Sequence, residues 1–162
     1  MPTSFSSSIP VIIDLIKKEN PNNILDIGVG RGKYGLLAKE YACPTWIDGV
    51  EAETAYITPI VKSIYDSLFI GDVRYMSIQN YDLTLMIDVI EHLEHEDGIA
   101  LLNRVGTVIV STPKEDYRIP YPDTPYENHI SHWTLDDFKD FDFTDHSTHE
   151  ATIVLIKRKR IE

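Results

Sequence analysis

Glycines and an acidic residue mark the first part of the sequence where chemistry is expected. Positions 26–32 read DIGVGRG, directly after a short apolar segment and before a helical one. Glycines at a turn from strand to helix let the backbone bend sharply and approach a ligand closely. We therefore expect Gly28, Gly30 and Gly32 to bind a nucleotide-like cofactor at this turn.

The glycine spacing separates two classes of cofactor. A dinucleotide-binding Gly-x-Gly-x-x-Gly turn starting at Gly28 and Gly30 needs its third glycine at position 33, which is Lys33; the third glycine is Gly32. Asp26 would also lie near the pyrophosphate of a dinucleotide, where like charges repel. S-adenosylmethionine has no phosphate and carries a sulfonium and an ammonium group. The residues thus favour S-adenosylmethionine over NAD.

Three further acids follow predicted strands. Glu51, Asp72 and Asp88 each stand where a strand is expected to end. The carboxyl ends of parallel strands meet at one edge of the sheet, and open α/β sheets bind ligands there. The sequence therefore predicts an acidic pocket, which suits a cationic cofactor.

The ordered combination of these motifs resembles the class I S-adenosylmethionine-dependent methyltransferases, in particular the small type with an Asp-Val-x-Glu-His-Leu segment after the fourth strand. Here positions 88–93 read DVIEHL, and the resemblance covers about positions 21 to 113. It implies a Rossmann-like fold and methyl transfer from S-adenosylmethionine. Position by position, it implies that Asp26, Gly28 and Gly30 hold the methionine part, Glu51 the ribose hydroxyls, Asp72 with Val73 the adenine, and Asp88 the pocket edge.

The elements predicted around these residues alternate between strand and helix. Apolar spacing predicts a helix in the first 20 residues, strands at 23–27, 46–50, 68–70, 81–87 and 107–110, and helices at about 33–41, 59–65 and within 94–104. A short helix at 134–139 and a last, antiparallel strand at 151–157, paired near 141–144, follow. This pattern predicts one α/β domain over residues 1–162, with a doubly wound, mostly parallel sheet and a C-terminal antiparallel strand. The residues expected to be buried include Trp46, Ile60, Val61, Ile64, Tyr65 and Phe69.

The segment 111–133 is longer and richer in proline than an ordinary connection between two secondary-structure elements. The segment leaves the sheet at the edge where the methyl group of the cofactor is expected, so it is predicted to be a lid that binds the acceptor. An ordered surface loop that packs Trp133 onto the core is the alternative. Aromatic faces that would cover the acceptor are those of Tyr117, Tyr121, Tyr126 and Trp133.

The histidines are candidates for acid–base chemistry. All six fall into His-x-x-His pairs, at 92 and 95, 129 and 132, and 146 and 149. No cysteine accompanies them and only the first pair is predicted to be helical, so no metal site is predicted. A hydroxyl or protonated amine acceptor needs a base, and histidine has a suitable pKa. The candidates are His92, His129 and His132.

The composition indicates which classes of binding partner to expect. The 15 basic and 26 acidic residues give a net charge of −11, which disfavours generic binding to nucleic acid or to an anionic membrane. A small-molecule acceptor is therefore expected, with the oligomeric state left open. The single cysteine, Cys43, excludes an internal disulfide, and neither a signal peptide nor a membrane span is evident, so a soluble cytoplasmic protein is expected.

Two other functions stay open at this point. The chain could be a catalytically silent binding or scaffold domain that keeps the fold, or an NAD-linked oxidoreductase. Tight cofactor binding without turnover on any acceptor would indicate the first. Binding of a nicotinamide cofactor in place of S-adenosylmethionine would indicate the second.

Overall fold

The computed structural model describes residues 4–78, 81–116, 122 and 124–157. Within them, seven strands form one sheet in the order β3-β2-β1-β4-β5-β7-β6. The strands are β1 (Asn23–Ile27), β2 (Trp46–Glu51), β3 (Ser67–Ile70), β4 (Leu83–Ile87), β5 (Val108–Pro113), β6 (Phe143–Asp145) and β7 (Ala151–Ile156). The α-helices are α1 (Ser8–Glu19), α2 (Lys33–Tyr41), α3 (Pro59–Ile64) and α4 (His95–Leu102).

The sheet is mostly parallel. The pairs β1–β2, β1–β4, β2–β3 and β4–β5 run parallel, whereas β7 lies antiparallel between β5 and β6. The doubly wound sheet with an antiparallel C-terminal strand is thus confirmed. The strand order reverses between β1 and β4, and a crevice at such a switch point is the usual ligand site of an open α/β sheet.

Each face of the sheet carries its own apolar core. On one face, α1 and α2 pack through residues such as Ile12, Ile16 and Ala38. On the other face, α4 packs together with Trp133 and Phe138, both fully buried. The central strands are therefore covered on both sides, which explains their continuous apolar runs. Among the described residues, no helix combines the length and apolar character needed to cross a membrane.

The β3 end of the sheet is less covered than the sequence predicts. Val61, Ile64 and Tyr65 are buried as expected, but Ile60 is 73% exposed. The assignment of Trp46 and Phe69 to the core is also wrong, since they are 53% and 43% exposed. The cause is topological: β3 is an edge strand that pairs on one side only, and Trp46 begins β2 two residues before its pairing with β3 starts at Asp48.

Candidate active site

A cavity of about 340 Å³ lies at the carboxyl ends of β1, β2 and β4. Six acids and one arginine of the described chain line it, together with apolar residues that include Phe5 near the N-terminus. This excess of acids gives the cavity the electrostatic character that the sequence predicted. The predicted site residues that line it are Gly28, Gly30, Glu51, Asp72, Val73, Asp88, His92 and His129.

The glycine turn shapes one wall of the cavity. Gly28 has a φ of +74°, and a Cβ there would lie 2.4 Å from Val89 Cγ2, so no larger residue fits. Gly32 has a φ of +78°, and its Cβ would lie 2.6 Å from Ile64 Cδ1. Gly32 therefore serves the close approach of α2 to α3. It is not among the residues that line the cavity, so its part in cofactor binding stays a prediction.

Glu51 ends β2 with its carboxylate held by the backbone. Its two oxygens accept hydrogen bonds from Gly30 N at 2.8 Å and from Glu53 N at 2.7 Å. Burial raises the pKa of Glu51, and these backbone donors oppose the rise. Each oxygen keeps further acceptor capacity, and Glu51 lines the cavity. Its contact with the ribose hydroxyls of a cofactor stays a prediction.

Asp26 lies behind the turn rather than in the cavity wall. Asp26 is 3% exposed, and its carboxylate accepts a hydrogen bond from the Tyr65 hydroxyl at 2.6 Å. Burial raises the pKa of Asp26 to about 7, against the lowering effect of the Tyr65 hydrogen bond. Its contact with the methionine part of a cofactor stays a prediction, because the described neighbour of the carboxylate is Tyr65.

Asp72 is held by an arginine that the sequence analysis missed. Arg74 donates to Asp72 through its backbone N at 2.9 Å, Nε at 3.0 Å and Nη2 at 2.6 Å. These bonds lower the pKa of Asp72, so the carboxylate is ionised. Arg74 also reaches Asp97 of α4 through Nη1 at 3.0 Å. The Asp-x-Arg spacing was the sequence signal that could have indicated this ion pair. The pair fixes the part of the cavity wall where adenine is expected.

Asp88 follows β4 in an unusual backbone conformation. Its φ of +54° is uncommon for a residue other than glycine. Its backbone N donates to Ser111 O at 2.8 Å, which ties this bend to β5. Burial raises the pKa of Asp88 to about 6, and the positive charge of Lys33 opposes the rise. The bend directs the chain from β4 into a 3₁₀ turn at Ile90–His92, here called the 90–92 turn.

Glu91, His92 and His129 bring potential metal ligands together. One ligand atom from each lies within 4.8 Å of the other two. Glu91 is 2% exposed, and neither of its carboxylate oxygens has a hydrogen-bond partner among the described residues. Burial, followed by the nearby charge of Asp88, raises the pKa of Glu91 well above its usual value. A buried carboxylate with no partner is costly and therefore calls for a cation or a donor.

The two imidazoles of this cluster are suited to bind a cation. His92 Nδ1 donates to Asn128 O at 3.1 Å, which leaves Nε2 as an acceptor. The rings of His92 and His129 meet edge to face, with centroids 4.8 Å apart. Burial lowers the pKa of both histidines and favours their neutral forms. Two neutral imidazoles and a carboxylate form a donor set for a divalent transition metal.

The cluster therefore joins histidines from two of the three His-x-x-His pairs of the sequence. His92 and His129 belong to different His-x-x-His pairs, and they meet because the 90–92 turn and the segment after β5 converge at one edge. His132 lies outside the cavity wall and bonds through Nε2 to Lys114 O at 2.9 Å. His95 bonds to Asp137 at 3.0 Å.

Part of the segment that is predicted to be a lid lines the cavity. Tyr126, Glu127 and His129 line it, whereas Tyr117 and Tyr121 fall outside the described residues. Trp133 is fully buried and packs against α4, as the alternative interpretation had it. Its predicted role as an aromatic face over the acceptor is therefore wrong, because its ring belongs to the core.

Comparison with curated proteins gives distant relatives. No family model matches the chain. The small RNA 2'-O-methyltransferases of Mus musculus and Rattus norvegicus are 23% and 24% identical to it over 163 residues. Each match covers 85% of this chain and 41% of the relative, so the chain spans about two fifths of the length of these relatives.

Comparison with solved structures identifies the fold. The methyltransferase domain of bacterial CtHen1-C has 19% identity and a TM-score of 0.65, covering 92% of this chain and 95% of that one. An O-methyltransferase family protein from Burkholderia thailandensis has 11% identity and a TM-score of 0.67, covering 96% and 57%. The N-terminal domain of EvdMO1, solved with SAH bound, has 16% identity and a TM-score of 0.65, covering 97% and 82%. The chain thus has the class I methyltransferase fold.

Proposed function

We propose that this chain is an S-adenosylmethionine-dependent methyltransferase that acts on a hydroxyl acceptor with the help of a divalent cation at Glu91, His92 and His129. The observation that carries the proposal is the Glu91 carboxylate, which is buried, has no hydrogen-bond partner among the described residues and stands beside two imidazoles. The same cavity also contains Glu51. Cofactor and cation would therefore occupy adjoining parts of one cavity.

The cofactor part of the proposal is supported by charge and shape. The cavity of about 340 Å³ is within the usual range for a small-molecule site. Its acids attract the sulfonium and ammonium groups of S-adenosylmethionine and repel a pyrophosphate. The EvdMO1 domain, which shares the fold, was solved with SAH, the product left by methyl transfer. Glu51 would hold the ribose, and the wall of Asp72, Val73 and Arg74 would hold adenine.

The cation part is supported by the donor set. Glu91 would be stabilised in its charged form by a cation, and His92 is already oriented by its bond to Asn128 O. When bound, a divalent cation lowers the pKa of a coordinated hydroxyl and so favours the oxygen nucleophile. His129 and the walls of the cavity would exclude water and align the acceptor with the methyl group. In the in-line displacement the acceptor oxygen would bond to the methyl carbon as the bond from that carbon to the sulfonium sulfur breaks, SAH would leave, and the hydroxyl proton would pass to solvent.

The relatives and the net charge guide the choice of acceptor to test. The relatives named above are small RNA 2'-O-methyltransferases, so an RNA 2'-hydroxyl is the first acceptor to test. A small-molecule hydroxyl is the other. With a net charge of −11, the chain would make few phosphate contacts, and RNA binding would depend only weakly on salt.

Methyl transfer from tritiated S-adenosylmethionine tests the proposal. We expect label in a short oligoribonucleotide and none in the matching oligodeoxyribonucleotide, with activity supported by Mn²⁺ and lost in EDTA. His129→Ala should lower transfer by about 10² or more, because a ligand is lost. His149→Ala, which removes a 79% exposed imidazole beside Glu150 and outside the cavity wall, is the matched control and should retain activity.

Other outcomes would change the conclusion. Transfer that is unaffected by EDTA and by His129→Ala would refute the role of the cation. Transfer to small alcohols or phenols but not to RNA would assign a small-molecule acceptor. SAH binding without transfer to any acceptor would favour the silent binding domain.

A further inference from the structure

The geometry points to a positioning role for Ser131, Trp133 and Gly98, which together hold His129 against Glu91 and His92. None of the three lines the cavity, and they act through the backbone of the segment that carries His129. The inference rests on the proposed function, because it concerns the ligands of the proposed cation. It adds residues that the cofactor site and the cation cluster do not contain.

The chain on both sides of His129 is bonded to the 90–92 turn. Before it, Asn128 O accepts the His92 Nδ1 hydrogen bond at 3.1 Å. After it, the backbone N atoms of Ile130 and Ser131 both donate to Glu91 O, at 2.9 and 3.1 Å. The backbone of His129 is therefore fixed relative to the two residues with which it would share a cation.

The Ser131 hydroxyl links this segment to a buried indole. Its Oγ donates to Ile90 O at 3.3 Å and accepts a hydrogen bond from Trp133 Nε1 at 2.8 Å. Ser131 is 9% exposed and Trp133 is fully buried, so neither group can exchange these bonds for bulk water. A shift of the indole would therefore also shift the 90–92 turn, which carries Glu91.

Helix α4 determines where the indole lies. A Cβ on Gly98 would stand 2.5 Å from Trp133 Cζ2 and 2.9 Å from Cη2. The His95 ring stacks on the same indole, with centroids 4.1 Å apart and an angle of 11° between the rings. Only glycine at position 98 allows this approach, so a single methyl group added there must displace Trp133.

The arrangement allows a test that separates positioning from general stability. Gly98→Ala adds a methyl group against Trp133 while raising the helix propensity of α4. Ser131→Ala removes the hydroxyl, and Ser131→Thr keeps one. Gly106→Ala is the matched control, because its Cβ would have Tyr81 O as nearest neighbour, at an ordinary 3.7 Å. Folding of each variant is followed by circular dichroism.

The readouts are Mn²⁺ affinity, by electron paramagnetic resonance, and SAH affinity, by calorimetry, on the full chain. We expect Gly98→Ala and Ser131→Ala to raise the Mn²⁺ dissociation constant about ten-fold or more, as loss of supporting residues around metal ligands does. Ser131→Thr and Gly106→Ala should stay within about two-fold, and every variant should retain its SAH affinity.

Titration of the wild-type chain shows whether the cation-assisted function fails or only the positioning role. Wild-type chain that binds SAH but not Mn²⁺ refutes the cation-assisted function, and the inference with it. Wild-type chain that binds both, with Gly98→Ala and Ser131→Ala unchanged in Mn²⁺ affinity, overturns the positioning role alone. A parallel loss of SAH affinity in these variants also overturns it, because that pattern indicates general destabilisation. Should Gly98→Ala not fold, Ser131→Ala and its threonine counterpart decide the question.

Discussion

Replacement of Glu51 by alanine tests the cofactor site where its geometry is best defined. The carboxylate is oriented by Gly30 N at 2.8 Å and Glu53 N at 2.7 Å, and Glu51 lines the cavity. A charge-assisted hydrogen bond is worth roughly 1.5 to 3 kcal/mol. Loss of even one bond to a ribose hydroxyl should therefore raise the dissociation constant of SAH by about ten-fold or more.

Two further measurements separate ribose contact from loosening of the turn. Glu40→Ala removes an exposed acid of α2 that does not line the cavity, and it should leave the dissociation constant nearly unchanged. The wild-type chain should bind the 2'-deoxy analogue of SAH less well than it binds SAH. The Glu51→Ala variant should bind the two ligands with equal affinity. An unchanged SAH affinity in folded Glu51→Ala, measured by calorimetry, would refute the ribose role of this residue.

Three further perturbations probe the adenine wall, a buried acid and the two tryptophans. Arg74→Gln should weaken SAH binding about ten-fold in calorimetry, because it releases Asp72; unchanged affinity would show that this wall does not contact the cofactor. Burial raises the pKa of Asp26 from 3.8 to about 7, so the folded chain keeps a proton that the unfolded chain loses between these pH values. Stability should fall in that window by about 1.4 kcal/mol per pH unit relative to Asp26→Asn, and parallel urea-unfolding profiles would contradict this. Trp133→Leu should cost roughly 2 kcal/mol or more in urea unfolding and Trp46→Ser less than about 1 kcal/mol, since they are 0% and 53% exposed; equal losses would be inconsistent with the fold.

The elements governed by local sequence could be predicted closely. The bounds of β1 and α2 match the apolar run and the glycine turn that separates them. Thr58 caps α3 and Pro59 is its first residue, as expected from their preferences. Burial at the sheet edge could not be predicted in this way. The exposure of Trp46 and Phe69 depends on strand order and on the register between β2 and β3, which their own hydrophobicity does not show.

The sequence predicts those residues of the candidate site that the strand order alone brings to one edge of the sheet. Glu51 and Asp88 lie at one edge because their strands are parallel neighbours of β1. The cluster at Glu91 was not predictable, since its members come from two separate segments, with His129 lying 37 residues after His92. The His-x-x-His spacing was misleading because a break at Leu93 and Glu94 separates the 90–92 turn from α4. His92 and His95 therefore do not share a helical face.

Calorimetric titration of the wild-type chain with SAH, beside a titration with NADH, tests the central claim most directly. The claim is that the acidic cavity beside the glycine turn binds the adenosyl cofactor of methyl transfer. We predict saturable heat with SAH at one site per chain and none with NADH, because the acids that line the cavity repel a pyrophosphate. Clear binding of NADH with no heat from SAH would contradict the claim and favour a nicotinamide-dependent oxidoreductase.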